Sequence, residues 1–499
     1  MRAANPSTRA GTMLIATLMA VAFGIRLFAA TTVPMPWEEA CLVEVAGQIS
    51  LAPGAVDLPI HGSGQHPAGQ LYLARLGALV LGGNILGFRL MSVVLGTASC
   101  WILFALVRRV WGTWPAAFAL WLLCFNGFHI GVSRSAIERT YLFFSLFAIY
   151  LFWRAVGEGR PWYMVAAGVV IGLGGLVAEH TFLLLPLFAV YLLLGRDTRP
   201  WLRRWPPWVA LLAAIAVFMP YAVVNLSGPA GQSALEQDFR YDVNRLGQPG
   251  LSYGPLALYV SPLYYTLSER ISRYSVMDVV SGALLLGGVL HAVFGRKDGF
   301  AKYLLVVFFG FFGLFSIFTT AEPEFKWAAT SLFAAAALSG RLLHGLWQRR
   351  PLHGVVMGFA LVYIAGCGIW VANASHNCYY DPLVSPSVSA IREHQSAEVW
   401  YVGRRPDYDF SAVAAGPLFP LRYTRYYLVS HIVAARLVSR GEVAPELFPL
   451  LVRRAAAIDP GDPEVQRLME FVRAGAVPGE AGQGQAAAPE GRGTAPDDE

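Results

Sequence analysis

The chain has 499 residues, of which 56% are hydrophobic and only 14% charged, with a formal net charge of +6. Soluble domains carry roughly 25% charged residues, so this composition excludes an ordinary soluble enzyme, a disordered chain, a collagen and a coiled coil. It points to a polytopic helical membrane protein. A spanning helix needs about 20 mostly apolar residues, and eleven runs qualify or nearly so: 11–31, 85–107, 114–129, 140–156, 162–178, 181–195, 207–226, 276–294, 302–320, 327–347 and 354–372. The first follows Arg2 and Arg9 but lacks a clear small-x-small cleavage site, so it reads as an uncleaved helix. Residues 68–80 are apolar but short, which suits a helix lying in the interface.

Placing the N-terminus in the cytoplasm puts Arg108–Arg109, Arg154 with Arg160, Arg196, Arg199, Arg203 and Arg204, then Arg296, Lys297 and Lys302, then Arg341, Arg349 and Arg350 on inner loops. The opposite loops hold most of the acids, among them Glu38, Glu39, Glu44, Asp57, Glu138, Glu179, Glu236, Glu322 and Glu324. This is a positive-inside pattern. It accounts for the net basicity and gives no support to nucleic-acid binding. Of the five cysteines, Cys100, Cys124 and Cys367 fall in apolar runs; Cys41 and Cys378 fall in polar stretches, where a disulfide between them stays open.

The loops predicted to face outward carry ionisable groups at the ends of apolar runs: Glu38, Glu39, His66, Arg134, Glu138, Arg139, Glu179, His180, Glu322, Glu324 and Lys326. Charges near lipid are costly unless paired or facing a wet cavity. Gathered on one face they suggest an extracytoplasmic cavity in which an acid activates a hydroxyl and a cation neutralises a phosphate. Plainer readings stand beside this one. Glu38–Glu39 could start a juxtamembrane helix, and Arg134 and Glu138 have the spacing of an i,i+4 ion pair. Glu179–His180 could simply end a span, and Lys326 could snorkel to the interface.

The segments "WEEACLVEVA", "HPAGQLYLARLGALVLGGNILGFRLMSVVLGTASCWILFALVRRVWG" and "NGFHIGVSRSAIERTYLFFSLFAIYLFWRA" resemble the bacterial GT-C membrane glycosyltransferases. The resemblance is closest to the group of protein mannosyltransferases and lipopolysaccharide-core or aminoarabinose transferases. "EHTFLLLPLFAVYLLL" and "EFKWAATSLFAAAALSG" resemble that group's later segments. Similarity covers about 30–345 and is strongest over 30–195. It implies an all-α GT-C bundle in the bacterial cytoplasmic membrane, with the active site on the extracytoplasmic side; the odd number of apolar runs places the chain after Trp370 on that side as well. It also implies a polyprenyl-phosphate sugar donor, transfer with inversion to an envelope acceptor (glycolipid, polysaccharide or protein), and no required cofactor. The family's first-loop acidic pair, usually Asp-Glu, falls on Glu38–Glu39, making Glu38 the expected general base. Its His/Lys-Pro-Pro stretch falls on His66–Pro67, with Ala68 in place of the second proline. Its Ser-Arg segment falls on Ser133–Arg134, near Glu138 and Arg139. Its late basic position falls on Lys326, next to Glu324. His180 completes the expected substrate-binding set. Some GT-C branches hold a divalent metal on first-loop acids; Glu38, Glu39 and Asp57 could do so here, but the aminoarabinose and mannosyl branches imply none.

Three regions are expected: a GT-C-like transmembrane domain over 1–372, an extracytoplasmic C-terminal region over 373–474, and a disordered tail over 475–499 rich in Gly, Ala, Pro and acids. "AEVWYVG" looks like a short strand. Residues 424–474 resemble a tetratricopeptide-type helical pair, a candidate partner-binding element, although one repeat cannot bury a solenoid core alone. A transporter or flippase for a lipid-linked saccharide is the competing class. It predicts mid-helix charges and interrupted helices in two matching halves, and no such halves are visible.

Overall fold

A computed structural model describes residues 6–32, 39, 42–43, 46–47, 49, 68–136, 140–227, 279–295, 298–318, 327–349, 351–380, 448–458, 460–461 and 463–474. Among them there is no strand. The helices are α1 (Pro6–Thr32), α2 (Gly69–Leu81), α3 (Ile85–Trp111), α4 (Thr113–Cys124), α5 (Gly127–Val132), α6 (Tyr141–Glu158), α7 (Pro161–Gly175), α8 (Leu184–Leu194), α9 (Trp205–Ser227), α10 (Val279–Phe294), α11 (Gly299–Phe318), α12 (Ser331–Trp347), α13 (Pro351–Tyr380), α14 (Phe448–Ile458) and α15 (Pro463–Arg473). Contacts divide the chain into Met1–Ser375 and His376–Glu499. The predicted strand "AEVWYVG", the tail over 475–499 and Cys41 lie outside the described residues.

A helix coincides with every predicted apolar run. Four of them, within 11–31, 86–111, 141–158 and 205–223, are long and apolar enough to cross a membrane; others are shorter apolar helices. The run over 114–129 is not continuous. α4 stops at Cys124, and Asn126 starts α5 by accepting the His129 N–H at 2.8 Å. An asparagine carboxamide competes with the helical ladder for backbone N–H groups, which is why it favours caps over helix interiors.

The helices pack in chain order and then fold back. α2 lies along α3, α3 contacts α1, α4 and α6, α7 packs against α6 and α9, and α12 joins α4, α10 and α11. Small residues allow the closest crossings, as usual where lipid removes the hydrophobic drive between helices. A Cβ at Gly168 of α7 would run into the Ala210 carbonyl of α9, and one at Gly340 of α12 into the Pro115 carbonyl of α4. Gly168→Val is expected to destabilise the bundle by about 1–3 kcal/mol, read as a lower thermal midpoint in detergent. Large apolar side chains such as Leu212, Phe294, Val356, Phe359 and Val362 are exposed, as the lipid-facing surface of a bundle requires.

One end of the bundle is basic and ionically stitched. Glu158, the last residue of α6, binds Arg154 of its own helix and Arg109 of α3, both at 2.7 Å, with Arg160 at 3.8 Å. Gly159 ends α6 in the left-handed region at φ +68° and Pro161 opens α7, so the chain reverses there at little cost. Asp298 caps α11 by accepting the Phe300 N–H at 2.9 Å. Its other oxygen accepts from Trp111 Nε1 at 2.6 Å and from Arg341. Three helices meet on that one carboxylate. Asp298→Ala is expected to cost about 1–2 kcal/mol, the range for a lost N-cap, again as a fall in thermal midpoint.

In the second unit, α14 and α15 form a helical pair that buries Phe448, Leu451, Val452, Ala455, Val465 and Leu468.

Candidate functional site

The opposite end of the bundle is built on a buried ion pair. Arg89, in the second turn of α3, donates from Nε to Glu39 Oε1 at 2.8 Å and from Nη2 to Oε2 at 2.5 Å. Its Nη1 donates to the Ala30 carbonyl at the end of α1, 2.8 Å away. Both side chains are sealed from solvent, Arg89 at 1% and Glu39 at 0% exposure. Glu39 also accepts the Ala136 backbone N–H. A fork-to-fork guanidinium–carboxylate pair is the geometry that survives desolvation. Here it fastens the first long loop to α1, to α3 and to the turn after α5.

That turn carries Ser133, Arg134 and Ser135. Ser133 Oγ donates to the His129 carbonyl at 2.6 Å, and Gly96 of α3 makes room for it, since a Cβ there would strike the serine side chain. Thr140, just before α6, donates to Gln70 of α2. Gly69 donates its N–H to the Leu176 carbonyl at 2.7 Å. The 3₁₀ turn Glu179–Leu183 follows, and His180 lies with its ring 5.8 Å from that of Tyr141. A small hollow lined by Ser92, Ser99, His129, Ser133 and Thr140, and by the apolar Val132, Leu142 and Phe143, lies beside the turn.

A second buried cation supports this end from below. Arg26 of α1 is fully buried. It donates to the Ala22 carbonyl at 2.9 Å and, across the bundle, to the Leu123 and Cys124 carbonyls at 3.2 and 3.4 Å. Those carbonyls are left free where α4 ends, and a cation there also suits the helix dipole. The same guanidinium meets His129 Nδ1 at 2.6 Å. Because arginine only donates, that nitrogen accepts and the ring proton sits on Nε2.

Of the predicted site residues, Glu39, Arg134 and His180 are described. Glu39 is joined to the turn that carries Arg134, Arg134 itself is half-buried, and His180 stands at the same end of the bundle beside Tyr141. Glu38, His66, Glu138, Arg139, Glu324 and Lys326 lie outside the described residues, as does Asp57. Among the described residues no three His, Cys, Asp or Glu side chains gather as metal ligands would. Arg26 and Arg89 were not among the expected site residues, although a signal was present: each is an arginine inside an apolar run, and such a charge needs a named partner.

Residues 65–223 match the family model described as dolichyl-phosphate-mannose-protein mannosyltransferase. The crystal structure of ArnT from Cupriavidus metallidurans bound to undecaprenyl phosphate is 16% identical, with a TM-score of 0.55, over 93% of this chain and 78% of that one. The apo form of ArnT is 15% identical over 93% and 77%, with a TM-score of 0.53. The oligosaccharyltransferase of Archaeoglobus fulgidus, in complex with zinc and sulfate, is more distant: 15% identity, 81% and 57% coverage, TM-score 0.49. No curated protein sequence matches. The chain therefore shares the fold of the ArnT structures and carries a segment that matches a mannosyltransferase family model. The matched segment runs from just before α2 into α9, the part that carries Arg89, Arg134 and His180.

Proposed function

We propose that the protein transfers a sugar from a polyprenyl-phosphate carrier to an acceptor of the cell envelope, at the extracytoplasmic face of a bacterial cytoplasmic membrane. The observation that carries this reading is the bidentate Arg89–Glu39 pair, which fixes the first loop one residue beyond Glu38 and against the turn holding Arg134. Both Glu39 oxygens are engaged, so Glu39 acts as the anchor and Glu38 as the base. The Glu38 carboxylate takes the proton of the acceptor hydroxyl. The acceptor oxygen attacks the anomeric carbon from the side opposite the phosphate, the carbon–oxygen bond to phosphate breaks, and the sugar inverts. Negative charge grows on the departing polyprenyl phosphate, where Arg134 and Lys326 stabilise it. His66, Glu138, Arg139, His180 and Glu324 are assigned to substrate binding. Because a phosphate ester leaves readily, positioning and electrostatics are sufficient, and no metal is assigned.

The charge asymmetry of the bundle supports the orientation: the end holding Arg109, Arg154, Arg160 and Arg341 faces the cytoplasm, and the Arg89–Glu39 end faces outward. The test uses full-length protein in nanodiscs with a panel of polyprenyl-phosphate monosaccharides and cell-envelope acceptors. Consumption of one donor with release of polyprenyl phosphate is the expected result. Movement of intact carrier across liposomes without consumption would instead identify a flippase.

A further inference from the structure

At the basic end, between α8 and α9, the segment Arg196–Arg204 holds four arginines and one carboxylate, Asp197. Contacts within the segment and to the helices on either side hold it in place. Trp201 is buried beneath it. The Thr198 hydroxyl bonds the Leu192 and Gly195 carbonyls, both at 3.2 Å, and Arg199 donates to the Leu193 carbonyl at 2.9 Å. Arg204 stacks over the Trp201 ring at 5.3 Å, and Trp208 Nε1 donates to the Leu202 carbonyl at 3.1 Å. Arg196, Arg203 and Arg204 remain exposed.

Beside these cations, Trp162 of α7 and Trp205 of α9 meet edge-on at 5.5 Å, and both are exposed. Exposed Trp208, Val209 and Leu212 continue the face along α9, and exposed Leu194 ends α8 next to it. The surface is thus graded from guanidinium through indole to aliphatic side chain. We propose that it binds an anionic phospholipid, with the phosphate on Arg203 and Arg204, the glycerol level at Trp162 and Trp205, and the acyl chains along Val209 and Leu212. A guanidinium matches a phosphodiester bidentately, indole prefers the headgroup boundary, and basic segments at a membrane surface select anionic lipids. A soluble anion would use the arginines alone, whereas a phospholipid also engages the indoles and the lipid-facing stripe that continues from them. The site lies at the opposite end of the bundle from Arg89–Glu39, so it is separate from the proposed donor site.

The test is native mass spectrometry of delipidated full-length protein titrated with phosphatidylglycerol and with phosphatidylcholine of the same chains. Wild type is expected to retain phosphatidylglycerol at least several-fold over phosphatidylcholine. Arg203→Gln/Arg204→Gln should bring the two to parity, Arg203→Lys/Arg204→Lys should restore part of the preference, and Arg349→Gln, an exposed arginine at the same end, should leave it intact. Gel filtration and thermal melting establish that each variant is folded. Equal binding of the two lipids by wild type would overturn the proposal, as would a preference that survives the double glutamine change. So would displacement of the lipid by millimolar inorganic phosphate, which would mark a site for a free anion.

Discussion

Arg89→Met is expected to destabilise the membrane domain by about 3–5 kcal/mol, because it leaves Glu39 as an unpaired carboxylate in a dry site. The loss is larger than the pair's own net worth. Guanidinium and carboxylate mostly repay each other's desolvation, so removing one exposes the full cost of the other. Glu39→Gln should also destabilise, because it leaves the Arg89 guanidinium as an uncompensated buried cation and its single carboxamide oxygen replaces the two acceptors that Arg89 and Ala136 use. The double change Glu39→Gln/Arg89→Met should therefore be more stable than Arg89→Met alone. Thermal unfolding of the four proteins in one detergent closes this cycle. Equal midpoints for wild type and Arg89→Met would show that the pair does not hold the loop. Arg89 also caps the Ala30 carbonyl at the end of α1, so some loss should persist in the double variant.

Glu38→Gln should lower turnover by about 10²–10⁴-fold, the usual contribution of a positioned general base, with the donor still bound. The amide keeps the size of the side chain but cannot take the acceptor proton. Glu38→Asp should retain much more activity, because an aspartate stands at this position in the family the first loop resembles. Donor consumption measured beside donor binding separates the two effects. Turnover unchanged by Glu38→Gln would remove Glu38 from the chemistry, while loss of binding without loss of maximal turnover would make it a binding residue.

Much of the helical architecture was legible because lipid imposes a simple grammar. Runs of apolar residues became helices, and Arg109, Arg154, Arg160 and Arg341 gathered at one end through Glu158 and Asp298. The break after Cys124 was less visible, because Asn126 is a single polar residue in a run whose hydropathy hides it. The least legible features were the partners of Arg26 and Arg89. Their positions in apolar runs announce that partners exist, but Glu39 lies 50 residues before Arg89, and Leu123 lies 97 after Arg26. No local period connects them. For the candidate site, the first-loop acids and the Ser133–Arg134 turn were visible as polar residues at the ends of apolar runs. The engagement of Glu39 by Arg89 was not, because the two residues lie 50 positions apart with no local period between them.

The arginine in α1 has a consequence for biogenesis. Its acceptors at Leu123, Cys124 and His129 are made roughly 100 residues later, which at 5–20 residues per second is on the order of 5–20 s of synthesis. Through that interval the guanidinium has only the Ala22 carbonyl of its own helix to bond, and an arginine in an inserted helix costs up to about 2.5–3.5 kcal/mol at the helix centre. Ribosome-bound chains halted before residue 123 should therefore hold α1 loosely, and chains halted well beyond 129 should lock it in place.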